Sequence, residues 1–179
     1  MTVFNIVRKK KGFSTVGKIM KSITYTPIGV IYSPHLDIAN MPIQPSNSKG
    51  IMGYIEINPE YAGALRDLDG FSHIILIYHF HMVNSFKLTV IPFLDDKSHG
   101  LFATRAPKRP NPIGLSVVKL LSINETRLDI ENVDIINLTP LLDIKPFVPK
   151  FDNPENPKIG WLTDKIDKMN NVYSDSRFR

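Results

Sequence analysis

Between Leu101 and Ser116 the chain reads LFATRAPKRPNPIGLS, a stretch through which no helix can run. Pro107, Pro110 and Pro112 fix φ, and each removes a backbone donor. Each also pushes its predecessor, Ala106, Arg109 or Asn111, toward extended backbone. Apolar runs on both sides, Leu101 to Ala103 and Ile113 to Leu121, predict that both ends are anchored in strands. The middle is then a stiff loop that presents Arg105, Lys108 and Arg109 with no acidic residue among them. Such a loop loses little conformational freedom when it grips a ligand. The plainer alternative is a proline-rich surface turn with solvated charges, because loops host both.

The surrounding sequence predicts strand after strand. Ile23 to Ser33 and Ile51 to Ile57 are short and β-rich. Phe71 to Met82, FSHIILIYHFHM, is apolar enough for a central strand. Phe86 to Phe93, Ile113 to Ile123, Leu128 to Ile136 and Leu141 to Val148 continue the pattern, with a hairpin turn at Asn124 to Arg127. Pro34 to Gly50 is a long loop of the kind that is functional or disordered. Asn58-Pro59-Glu60 predicts a helix start, with Asn as cap and Pro first, and Gly70 as the stop. Ile159 to Met169 is a short amphipathic stretch. About seven strands against one or two short helices predict a mostly β fold, a small antiparallel β-barrel. The expected division is a basic N-terminal extension over residues 1–22, the barrel over 23–150, and a tail with a short helix over 151–179.

Charge narrows the function. The net charge is +5, but Arg8, Lys9, Lys10, Lys11, Lys18 and Lys21 stand in a leader with no acid, so the body is near neutral. Within the body, Lys97, Arg105, Lys108, Arg109 and Lys119 form a cationic run that is able to steer phosphates if its members cluster. There is no cysteine, which removes disulfides, thiolate metal sites and cysteine nucleophiles and fits a reducing compartment such as the cytoplasm. The glycines never fall as G-x-G, so a nucleotide would have to be held without a dinucleotide fingerprint or a Walker loop. No apolar run approaches the ~20 residues of a membrane helix, and no membrane partner is expected.

Two further groups carry alternatives. His79 and His81 share one strand face and, with His99, would suit a three-histidine zinc site. No carboxylate-rich motif accompanies them, and no metal is expected. Asp143 and Lys145 also share a face, either as an ion pair worth little when exposed or as a charged pair shaping a pocket, with Asp143 accepting a proton.

FATRAPKRPNPIG, from Phe102 to Gly114, resembles the signature of the TsaA-like family of TrmO-type tRNA adenine N6-methyltransferases. PIGVIYSP from Pro27, LDGFSHI from Leu68 and TPLLDIKPF from Thr139 agree with it, so the resemblance spans about Tyr25 to Pro149. It is to the short form, without the extra C-terminal domain of many bacterial members. The resemblance implies a β-barrel that binds S-adenosylmethionine without a Rossmann domain and acts as a homodimer. Its substrate would be a tRNA anticodon loop whose threonylcarbamoyl-modified adenosine is methylated on N6. It places cofactor contacts at Pro42, Ile43 and Gln44, at His81 and Met82, at Arg105, at Leu115, and in the turn Asn137, Leu138, Thr139 and Pro140. In that turn many relatives have Asp-Gly where this chain has Asn137-Leu138; Leu does not take positive φ as readily as Gly.

A mechanism follows from the implied reaction. Methyl transfer from a sulfonium needs in-line geometry, and holding donor and acceptor together supplies roughly 7–11 kcal/mol of the barrier. A nearby group must take the acceptor's proton; Asp143 is the expected acceptor, oriented by Asn137, unless solvent or the modified base takes it. Arg105 is expected to meet the cofactor carboxylate. Lys108, Arg109, Lys97 and Lys119 are expected on RNA phosphates. The rival readings are a non-catalytic RNA-binding barrel and a histidine-based metal hydrolase.

Overall fold

Strand alternation decides the architecture. The computed structural model describes residues 23–38, 41, 48–165, 174 and 175. Its strands are β1 (Gly29–Tyr32), β2 (Met52–Ile57), β3 (His73–His79), β4 (Thr89–Val90), β5 (His99–Gly100), β6 (Ile113–Asn124), β7 (Arg127–Glu131) and β8 (Thr139–Pro146). Six of them close into a barrel in the order β1-β2-β7-β6-β3-β8, every pairing antiparallel, while β4 and β5 make a separate two-stranded ribbon. The expected antiparallel barrel is therefore the fold. Closure leaves these six strands no unpaired edge.

Every second side chain fills the interior. In β3, Ile74, Leu76 and Tyr78 point inward, and in β6 Ser116, Val118 and Leu120 do the same. All but Ser116 pack with Ile31, Ile55, Leu128, Ile130, Val133 and Leu141 into one core. Each such aliphatic side chain contributes about 1.5–3 kcal/mol on burial. β3 lies between β6 and β8, with His79 opposite Ile113 and Tyr78 opposite Leu141. One register shift sets the far end of β8: Ile77 faces Asp143 but Tyr78 faces Leu141, so Leu142 is an extra residue in the ladder. Such a bulge changes which side chains point inward.

Several expectations are corrected. The first strand is shorter, since Ile23 to Ile28 lies outside the ladder. The helix expected from Asn58 to Gly70 is two 3-10 turns, Pro59–Leu65 and Leu68–Gly70. Short helices nucleate at a cost, and this one is broken by extended Arg66 and by Asp67 at φ 66°. The strand expected over Phe86 to Phe93 is reduced to Thr89–Val90. The cationic loop begins not in a strand but in a 3-10 turn, Leu101–Ala103, pinned by buried Leu101. The run to Ile136 leaves the ladder at Glu131, after which Asn132 takes φ 69°. In the tail only the 3-10 turn Gly160–Leu162 forms on the described part of the amphipathic stretch. The basic extension over residues 1–22 lies outside the described residues.

Leu138 adopts φ 62°. A side chain in left-handed backbone costs roughly 1–2 kcal/mol, and glycine gives back about 0.5–1 kcal/mol of chain entropy. Leu138 is mostly exposed, so little burial would be lost. Leu138→Gly is therefore expected to stabilise the fold by up to about 1 kcal/mol, read as a higher denaturation midpoint; a lower midpoint would contradict it.

Candidate active site

A cavity of about 840 Å³ opens at the end of the barrel where β3 finishes, β6 begins and the β7–β8 connection returns. Tyr78 and Phe80 come from the β3 end, Leu115 from β6, Asp134 from the connection, and Arg105 from the cationic loop. The loop is tied to the barrel, because Phe80 N–H donates to the Pro112 carbonyl at 2.8 Å. It is also braced internally. Arg109 Nη1 donates to the carbonyls of Thr104 and Ala106 at 3.0 and 3.3 Å, and its guanidinium lies over the Phe102 ring.

A polar string runs from inside the barrel to the cavity. Ser116 Oγ donates to Asp134 Oδ1 at 2.7 Å and lies 3.0 Å from the Tyr78 hydroxyl. Because the serine proton goes to the carboxylate, Tyr78 is the donor to Ser116. Burial pushes Asp134 up to about 6, against the bond from Ser116, its own backbone N–H and the positive charge of Arg105, which all pull it down. Burial, and then the charge of Asp134, raise the Tyr78 phenol further above its ordinary range, keeping it a donor. The tyrosine ring crowds Gly114: a Cβ at that position would sit 2.2 Å from Tyr78 Cε2.

His81 closes the same rim. Its pKa is lowered, first by burial and then by neighbouring His79. Its Nδ1 lies 3.4 Å from Thr139 Oγ1, which itself donates to the Ile136 carbonyl at 2.7 Å.

The structure gathers some of the expected residues and separates others. Arg105, His81, Met82, Leu115 and Thr139 line the cavity together, with Arg109. Pro42, Ile43 and Gln44 lie outside the described residues, although adjacent Met41 lines the cavity. Leu138 and Pro140 flank Thr139 without lining it. Asn137 is engaged with β1's end: its Oδ1 accepts from Ser33 N–H and its own N–H donates to the His35 carbonyl. Asp143 is not on the cavity wall; it pairs with Lys145 at 2.8 Å, both about half exposed. Lys119 pairs with Glu131 on the barrel's outer face. Lys97 is exposed beside Asp95, and Lys108 is half-buried in the loop. His99 bonds Asp95 and stacks on Trp161. Among the described residues no three His, Asp or Glu side chains gather as a metal site. No helix among them is long and apolar enough to cross a membrane.

Asp134, Ser116 and Tyr78 were not among the expected site residues. The available signals were a lone acid between buried Val133 and Ile135, and a serine on the inward phase of β6.

Comparison with known proteins places this geometry. The family model of the tRNA-methyltransferase O N-terminal domain matches residues 30–153. The chain is 51% identical over 156 residues to a "probable S-adenosyl-L-methionine-binding protein" of Pyrococcus abyssi, covering 87% of this chain and 85% of that one. It is 36% identical to the tRNA (adenine(37)-N6)-methyltransferase of Escherichia coli, covering 73% of this chain and 60% of that enzyme. A crystal structure of TrmO from Pseudomonas aeruginosa superposes with a TM-score of 0.66 at 34% identity, covering 78% of this chain and 62% of that one. The chain thus spans about three fifths of the length of those two bacterial proteins.

Proposed function

The chain belongs to the tRNA-methyltransferase O family, and we propose that it uses S-adenosylmethionine to methylate N6 of the threonylcarbamoyl-modified adenosine beside the tRNA anticodon. One observation carries the reading: Arg105 and a partly buried carboxylate, Asp134, meet in a cavity large enough for a nucleoside. The donor set fits the methyl donor. A guanidinium suits its carboxylate, apolar Ile113, Leu115 and Ile135 suit its adenine, and Asp134 suits its positive charge. When bound, that molecule supplies an electrophilic methyl group.

The chain's own residues do the rest. Arg105 holds the carboxylate end, and the rigid loop behind it fixes the pose. Asp134 stands where a proton acceptor is needed and, with a pKa raised to about 6, is basic enough at neutral pH while still ionised. Ser116 and Tyr78 aim it. Thr139 and His81 close the rim, and the neutral histidine adds no repulsive charge against a sulfonium. Lys108 meets RNA phosphate, whereas Arg109 braces the loop. Exposed Met82, Phe102, Ile113 and Leu115 around the cavity mouth support a homodimer in which a second copy covers this rim. The reaction belongs in the cytoplasm, where such tRNA is available.

The decisive experiment is mass spectrometry of tRNA nucleosides after incubation with the purified chain and S-adenosylmethionine. N6-methylated threonylcarbamoyladenosine is expected; its absence, with donor and modified tRNA both present, overturns the reading. Arg105→Ala is expected to weaken S-adenosylhomocysteine binding at least about tenfold, the loss of a charged hydrogen-bond pair; unchanged affinity by calorimetry removes Arg105 from this role. Lys108→Ala is expected to lower the salt dependence of tRNA binding by about one counterion. A slope identical to wild type across a salt series would move the phosphate contact elsewhere.

A further inference from the structure

Part of the cavity's wall does not come from the barrel. Trp161 and Leu162 line it, and both lie beyond residue 153, where the family match ends. Trp161 is held from two sides. Its indole N–H donates to the Ala103 carbonyl at 2.8 Å, at the root of the cationic loop. Its ring stacks on His99, with centroids 4.4 Å apart and planes 25° apart. His99 in turn bonds Asp95 Oδ2 at 2.9 Å, and Lys165, four residues beyond Trp161, pairs with the same oxygen. The Asp95 side chain is 2% exposed, and bonds from Lys165 and His99 hold its carboxyl well below the usual carboxylate range. The tail meets the cavity a second time at Ser174, whose N–H donates to the Met41 carbonyl and whose hydroxyl accepts from Met41 N–H.

A buried ionic clamp therefore fixes one flat aromatic ring on the wall of a cavity that a cation, Arg105, and a carboxylate, Asp134, also line. Flat rings fixed in this way are stacking partners for bases of any identity, because every base has a π face. We propose that Trp161 is a purine-contacting residue of this cavity, positioned by the clamp of Asp95, His99 and Lys165. This rests on the methyltransferase reading, in which both the donor and the acceptor nucleotide carry an adenine.

Trp161 is the sole tryptophan of the chain, so its emission reports its own surroundings. The full chain is titrated separately with S-adenosylhomocysteine and with an anticodon stem-loop RNA, following fluorescence and, in parallel, heat. Quenching by the first assigns the contact to the donor's adenine; quenching by the second assigns it to the acceptor side. Trp161→Ala is expected to weaken the quenching ligand about tenfold, Trp161→Phe to recover part of that loss, and Asp95→Asn to fall between. Thermal melts identify any variant that fails to fold, and Trp161→Phe and Asp95→Asn then carry the comparison. Both ligands binding by calorimetry with no change in emission, or the variants binding as tightly as wild type, overturns the assignment and leaves the methyltransferase reading standing. If the wild-type chain binds neither ligand, both fall.

Discussion

Asp134→Asn is expected to slow methyl transfer by about 10²–10⁴-fold, the usual range for losing a positioned proton acceptor, while leaving the barrel folded. Asn matches the carboxylate in shape and still accepts the bond from Ser116, so the loss would fall on kcat more than on donor affinity. The pH profile is the sharper readout. The required form is the carboxylate, and its pKa is raised to about 6, so the rate should climb through that region and level off above it. Removing the Ser116 hydroxyl deletes a bond that favours the charged form, and Ser116→Ala should therefore move the rising limb to higher pH. Stability runs the other way. The folded state binds the Asp134 proton more tightly than the unfolded chain, so this group's contribution declines as pH rises from about 4 to about 6. Asp134→Asn should remove that decline. An Asn variant with wild-type turnover, or a rate profile flat from pH 5 to 8, would exclude Asp134 as the acceptor.

The largest expected loss of stability is at Gly114. An added Cβ would lie 2.2 Å from Tyr78 Cε2 and 2.4 Å from Cζ, far inside contact distance. The ring cannot retreat easily, because Tyr78 is buried, its edge meets Phe80 and its hydroxyl is bound to Ser116. Overpacking of this kind costs about 1–3 kcal/mol and more where nothing yields, so Gly114→Ala should lose about 3 kcal/mol in chemical denaturation. Pairing it with Tyr78→Leu should recover part of that. A Gly114→Ala protein as stable as wild type would show that the ring is free to move.

The barrel was legible because inward positions recur at every second residue in Gly114 to Leu120 and in Ile74 to Tyr78, and this period survives tertiary packing. The cationic loop was legible for a different reason: proline acts locally, whatever surrounds it. Arg105, His81, Met82, Leu115 and Thr139 could be placed near one another only through the family resemblance, since no local rule brings four separate segments to one rim. Asp134 escaped because its character depends on distant partners. A lone acid in ENVDIIN has no distinguishing mark until Ser116 and Arg105 are brought beside it. Arg109 shows what charge alone does not reveal. Its charge pointed to phosphate, and the structure adds a bracing role, since its Nη1 donates to carbonyls of its own loop. The expected helix after Asn58 had a sound start signal and too few uninterrupted residues behind it to propagate.

The extra residue at Leu142 has a consequence for how this gene tolerates change. Counting by twos from Thr139 and Leu141 would carry Asp143 and Lys145 into the apolar lumen; the bulge instead lets Ile144 pack against the core and leaves the two charges outside. Loss of the Leu142 codon would flatten the bulge and keep the phase: Asp143 would then follow Leu141 directly and point outward, with Ile144 inward. A single-codon loss here should thus be accepted in evolution, whereas the same strand straightened at full length would turn an acid and a base inward together.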